Sequence, residues 1–329
     1  MKAIKILTMA ALATAVFASC SSEDELAQSN YPMDNVVRIM TSVDGMNTRA
    51  SYGNSTDKLN SFGFCINNAG NTKYTYDNIK VTKEGNNWNP ATQMLWQNST
   101  AAVDILAYAP YQETTEDATG KVKVFGKTDY AFSVKEDQSN AEDYSSDLIV
   151  YKQTGFTPGT NLNTNQAVNV AFTHLLSQLN LTIELRDQFN QDEKKPVTSA
   201  TVTDVKVDGT FIRSKVNFAA DPISFLRDGY ASAAITPETV AFKKADKTTD
   251  HATFKYSAIV IPQRVYAGQL CIKFKVDGTD YIWTGSDDAL FESGKKYELH
   301  LLVGKDVVQG GAISAKPWGD ETITEKETD

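Results

Sequence analysis

Apolar residues in this chain recur at every second position, in short runs, far more often than at helical spacing. Val37, Ile39, Thr41 and Val43 share one face of residues 36–43. Phe62, Phe64 and Ile66 alternate with Gly63 and Cys65, and Leu179, Leu181, Ile183 and Leu185 alternate with Asn180, Thr182, Glu184 and Arg186. Such alternation, bounded by Gly, Asn, Asp and Pro, predicts antiparallel strands. Residues 102–109 are apolar almost throughout, the pattern of a strand buried on both faces. Further strands are predicted at 122–125, 148–151, 168–172, 202–207, 210–218, 271–276, 281–283, 296–303 and 312–315. Asp208-Gly209 and Asp277-Gly278-Thr279-Asp280 each predict a hairpin. Short helical pieces are expected only near Ser177 or between Asp221 and Leu226. About fifteen strands without a long helix predict an all-β chain built from β-sandwiches.

The length of 329 residues suits two domains of roughly 100–200 residues each. The clearest break is the polar stretch 154–166, which holds Pro158, Gly155, Gly159, Asn161, Asn163, Asn165 and Gln166. The expected organisation is a signal peptide over 1–19, an acidic flexible tether over 20–35, an N-terminal sandwich over 36–165, a C-terminal sandwich over 166–318 and an acidic tail over 319–329.

The signal-peptide reading rests on the first twenty-five residues. Lys2 and Lys5 precede an apolar run from Ile6 to Phe17 broken only by Thr8 and Thr14. That run is too short to span a bilayer and fits a secretory segment. Ala18 and Ser19 then lead into Cys20 and the polar sequence Ser21-Ser22-Glu23-Asp24-Glu25. A small-residue site ending in Cys resembles a lipoprotein processing site, at which the thiol is acylated and the chain is cut just before it. Each buried CH2 of an acyl chain contributes roughly 0.8 kcal/mol to membrane binding, so several chains on Cys20 make a stable anchor.

Charge narrows the partners. Residues 1–19 carry two lysines and no acid, so their removal from 32 basic and 41 acidic residues leaves a net charge of −11. An acidic surface without a dense Lys/Arg stripe repels phosphate backbones, which argues against nucleic acid as a partner. Cys65 and Cys271 lie in separate β-like runs and read as two packed thiols rather than a disulfide.

Catalytic chemistry has little support. His174, His251 and His300 are the only histidines and stand in unlike contexts. There is no H-E-x-x-H, no C-x-x-C, no phosphate-binding Gly-Lys-Ser/Thr loop, no dinucleotide fingerprint and no nucleophile elbow. Acidic residues are too abundant for their presence alone to mark a paired-carboxylate site. No catalytic residue, metal ligand or cofactor is predicted, and the chain reads as non-enzymatic. Among the tryptophans, Trp96 and Trp283 read as apolar plugs in or beside strands. Trp88, in Gly85-Asn-Asn-Trp-Asn-Pro90, is placed on a loop and is the candidate for contact with a glycan.

Several segments, taken in order, resemble the Bacteroidetes fimbrillin family of type V pilus subunits and related surface adhesins. The lipoprotein signal is followed by Val37-Arg-Ile-Met-Thr-Ser-Val43 and Thr48-Arg49-Ala50, which are similar to the family's first strand and its Arg-containing processing loop. Met94-Leu-Trp96, Val103-Asp-Ile-Leu-Ala-Tyr-Ala-Pro-Tyr111, Ser146-Asp-Leu-Ile-Val150 and Val170-Ala-Phe-Thr-His-Leu-Leu-Ser-Gln-Leu179 resemble its central segments. Ile261-Pro262, Gly294-Lys-Lys-Tyr-Glu-Leu-His-Leu301 and Ile313-Ser-Ala-Lys-Pro-Trp318 resemble its finish.

The resemblance implies two transthyretin-like Greek-key sandwiches in tandem and a subunit that assembles by strand exchange. A protease would cut between Arg49 and Ala50, removing the lipidated leader with the first strand. A C-terminal strand of another subunit, with Ile313 and Ala315 alternating into pockets, would fill the vacated groove. The expected partners are other fimbrial subunits or further copies of this chain, a host protein or glycan, and the outer membrane through the lipid on Cys20. The expected location is the cell surface, or the fimbrium after processing. The alternative reading is a surface glycan-binding lipoprotein. A C-terminal strand projecting into solvent would mark a donor; one tucked against its own body would mark an anchor, a stored precursor or a lone adhesin.

Overall fold

The computed structural model describes residues 30–43, 52, 56–113, 124–189, 200–226, 231–245, 250–311 and 313–318. Among these residues it is almost entirely β, with strands numbered β1 to β21 in chain order. The largest sheet has the order β1-β8-β7-β5-β2-β3-β4. Its members are β1 (Arg38–Val43), β2 (Ser61–Asn67), β3 (Tyr76–Glu84), β4 (Asn87–Pro90), β5 (Val103–Ala109), β7 (Ile149–Phe156) and β8 (Ala167–His174). A second large sheet runs β13-β14-β9-β19-β20, with β21 also on β19. It is built from β9 (Ser177–Leu185), β13 (Glu238–Lys243), β14 (Ala252–Val260), β19 (Lys295–Val303), β20 (Val308–Gly310) and β21 (Ser314–Pro317).

Three smaller sheets cover the second half. One joins β6 (Tyr130–Ser133), β11 (Arg213–Asn217) and β12 (Ser224–Leu226). Another joins β10 (Val202–Asp208), β16 (Cys271–Val276) and β17 (Thr279–Thr284), and the last pairs β15 (Gln263–Val265) with β18 (Ala289–Phe291).

Two hydrophobic clusters follow from the alternation in the central strands. Phe62, Phe64, Ile66, Ile105 and Ala107 point into one cluster with Val168, Val170 and Phe172. Cys65, Leu106, Tyr108 and Val150, on the opposite face of the same strands, belong to the second. β5 is therefore covered on both sides, which is why its sequence is continuously apolar. Burial pushes the Cys65 thiol up to about 12, so it stays protonated and inert, and Cys65 and Cys271 are both free.

The structure departs from the sequence reading at several places. The strand after the polar stretch 154–166 is β8, which returns to the first large sheet, while β6 pairs with β11 of the second half. The changeover between the clusters falls at Leu175 and Leu176. Residues 30–35 are tied to the body: Asn30 Nδ2 donates to the Leu162 carbonyl at 3.1 Å, and Asn35 accepts from the Trp96 N–H at 2.8 Å. The segments expected to be helical contain β9 and β12.

Asp277-Gly278 forms its hairpin, with both residues at positive φ and Val276 opposite Thr279. Asp208-Gly209 does not, because β10 pairs with β16 whereas β11 pairs with β6 and β12. Gly209 instead turns the chain between sheets at φ +89°, and a Cβ there would meet the Gln269 carbonyl oxygen at 1.9 Å.

Candidate assembly site

β1 occupies one edge of the first sheet and runs parallel to β8, from Arg38 opposite Ala167 to Val43 opposite Phe172. Val37, Ile39 and Val43 enter the first cluster, while Met40 is exposed. Burial of three such side chains is worth about 5–9 kcal/mol, at roughly 1.5–3 kcal/mol each. The start of the strand is clamped: the Val37 N–H donates to the Met94 carbonyl at 3.0 Å. The Arg38 guanidinium forks onto Asp34 at 2.6 and 3.1 Å and holds that carboxyl below the usual range. Cys20, Arg49 and Ala50 lie outside the described residues.

The C-terminal segment is tucked onto its own body. β20 and β21 both lie along β19, with Leu301 opposite Gly310 and Tyr297 opposite Ala315. Ile313 is half-buried and Ala315 exposed, and both line a cavity of about 370 Å³ with Leu270, Trp283 and Ala289. Gly310 is required under Trp283, since a Cβ would come within 2.2 Å of the indole nitrogen.

Trp318 fastens the end of this segment. It is buried, its backbone N–H donates to the Gly294 carbonyl at 3.1 Å, and its indole stacks on the His174 imidazole. His174 Nδ1 lies 2.9 Å from Asp147 Oδ1, and Asp147 Oδ2 accepts the Tyr52 N–H at 2.9 Å. Both side chains of the His174–Asp147 pair are sealed from solvent. One buried carboxylate–imidazole pair thus holds Tyr52, two residues after Ala50, and Trp318, the last described residue. The sequence alone does not reveal this junction, whose members lie up to 266 positions apart. The one legible signal was the Asp-Leu and Phe-x-His segments standing in order before a terminal Trp.

Trp88 sits on β4 rather than on a loop, half-buried, with its ring edge-to-face with Phe62 at 5.1 Å. A second polar cluster lies on the second large sheet. His251 presents Nδ1 to Glu184 and Nε2 to Asp187, and His300 Nε2 lies 2.6 Å from the other Glu184 oxygen. Among the described residues no group of His, Cys, Asp and Glu is positioned to hold a metal ion, and no helix is long and apolar enough to cross a membrane.

The fold has solved counterparts. A candidate cell adhesion protein from Bacteroides ovatus superposes with a TM-score of 0.62 at 13% identity, covering 87% of this chain and 98% of that one. One from Bacteroides uniformis gives 0.55 at 21% identity, covering 87% and 99%. A fimbrial protein from Bacteroides vulgatus gives 0.53 at 15% identity, covering 86% and 99%. At these identities the likeness is one of fold. No curated protein sequence matches. The fimbrillin-like family model, in contrast, matches the sequence itself over residues 48–318. A match of that extent identifies the chain as a member of the fimbrillin-like family.

Proposed function

We propose that this chain is a non-enzymatic fimbrial subunit or surface adhesin. In this reading it is exported as a lipoprotein anchored through Cys20 and stored with its C-terminal strand parked on its own β19. A cut between Arg49 and Ala50 removes the lipid and β1 together, and a strand from another subunit takes the vacated place beside β8. The observation that carries this reading is the position of β1. Among the described residues it is an edge strand paired in its sheet with β8, and with the bridge of Val36 to Leu95 and the Val37–Met94 bond released it can leave without unthreading any other strand. Its departure exposes the open edge of β8 beside an apolar trench, which strongly favours an incoming strand. The family membership supports the fimbrial role, and the exposure of Ser314, Ala315 and Lys316 supports a segment whose release turns on Trp318.

The test is made in cells. Wild type is expected to carry surface fibres whose subunits begin at Ala50, and Arg49→Ala to leave a lipidated, full-length, unpolymerised protein. Fibres that form equally well from Arg49→Ala subunits would sink the proposal.

A further inference from the structure

β1 and β4, the two end strands of the seven-stranded sheet, lie close to one another. Just before β1, Val36 bridges to Leu95 in the segment that follows β4, and the Val37 and Trp96 amides donate to the Met94 and Asn35 carbonyls. β1 and β4 border a groove of about 600 Å³. Trp88 forms part of its wall, braced by Phe62 with the Lys83 ammonium 5.8 Å from its ring centre. Asn86, Asn87 and Asn89 line one side and Asn165 the other. Asn89 Nδ2 is held by Glu84, while Asn86 and Asn87 are exposed. The Thr41 hydroxyl, also in the lining, is buried without a hydrogen-bond partner.

We propose that this groove binds a neutral oligosaccharide, with one sugar ring against Trp88 and its hydroxyls on the exposed asparagine amides. Each amide side chain offers both donors and an acceptor, which suits polyhydroxyl ligands, and an aromatic ring suits the apolar face of a pyranose. The charges argue for a neutral ligand. Arg38 is occupied by Asp34, Lys83 Nζ donates to the Thr56 carbonyl at 3.0 Å, and Asp57 adds a carboxylate to the lining. The two cations are thereby matched by two anions. A peptide strand is disfavoured because β4 has four residues and ends in Pro90, which lacks an N–H to donate.

The inference adds a ligand class to the adhesin reading and stands on the uncut chain, so it is tested whether or not Arg49 is processed. The purified full chain is titrated by calorimetry with the hexamers of cellulose, xylan, mannan and chitin. A hexagalacturonate and an extended decapeptide serve as charged and strand-forming contrasts. Saturable binding of at least one neutral hexamer is expected, weakened about tenfold or more by Trp88→Ala and unchanged by Trp283→Ala. The exposed double variant Asn86→Ala/Asn87→Ala, which leaves the core untouched, is expected to weaken it similarly. The proposal is overturned if no neutral hexamer binds, if binding survives both the Trp88 and the Asn86/Asn87 changes, or if the acidic hexamer or the peptide binds in their place.

Discussion

The indole of Trp318 and the imidazole of His174 lie face to face, 4.1 Å between ring centres and 4° from parallel. Trp318 is buried, whereas Ser314, Ala315 and Lys316 before it are exposed. Trp318→Ala should therefore release β21 while the sheet beneath it persists. Amide exchange at 314–316 is expected to quicken about tenfold or more, a loss of roughly 1.4 kcal/mol or greater, with the β9 amides unchanged. Equal protection in the variant would show that backbone pairing with β19 holds the strand unaided.

Asp147 accepts both from His174 and from the Tyr52 amide in a site closed to water. Asp147→Ala leaves two buried groups unsatisfied, at about 1–3 kcal/mol each. Urea unfolding should show a loss of about 2 kcal/mol or more, and Asp147→Asn, which keeps an acceptor, should lose less. A loss below about 0.5 kcal/mol for the alanine variant would class the junction with ordinary surface positions.

His251 places both ring nitrogens against carboxylates, an arrangement that requires the doubly protonated ring. The Glu184 hydrogen bond, opposed by desolvation and aided by Asp187, raises its pKa above the ordinary 6.5. A raised folded-state value means the contribution is complete below pH 6.5 and is lost as pH rises through the higher value. The stability advantage of wild type over His251→Gln should be largest in mildly acidic buffer and shrink above neutrality. NMR titration of the ring gives the midpoint directly, and a value at or below 6.5 would contradict the arrangement.

Gly209 turns at φ +89° against the Gln269 carbonyl. Gly209→Ala adds a clash with backbone to a strained conformation, so a loss of about 1–3 kcal/mol in chemical unfolding is expected. Gly85→Ala is the control, since its φ is +61° with open space around it. Gly209→Ala should cost clearly more, and equal losses would mean that φ alone sets the penalty.

Legibility in the sequence tracked how strongly one face of a strand is buried. β2, β8, β9 and β16 are readable because residues such as Phe62, Val170, Ile183 and Phe274 sit in period-two runs bounded by turn residues, and β5 because it is apolar throughout. β3 and β13 are not: β3 buries little beyond Asn78 and Val81, and β13 is exposed after Glu238. The Asp208-Gly209 hairpin was misread because a turn dipeptide specifies local backbone shape without specifying which strand the chain meets next. The Asn and Pro residues around Trp88 predict a loop, whereas pairing with β3 makes that short stretch a strand. The Tyr52–Asp147–His174–Trp318 junction was invisible because it depends on strands distant in sequence.

The central claim is that β1 is exchangeable. Purified precursor is treated with an Arg-specific protease and followed by N-terminal sequencing, denaturing gels and amide exchange at β8. The account predicts a new N-terminus at Ala50, loss of the peptide carrying residues 36–43, and a ladder of stable oligomers. In those oligomers Val168–Phe172 should stay protected although β1 has gone. Precursor that never yields Ala50, or cut protein that keeps its β1 peptide and stays monomeric, would contradict it.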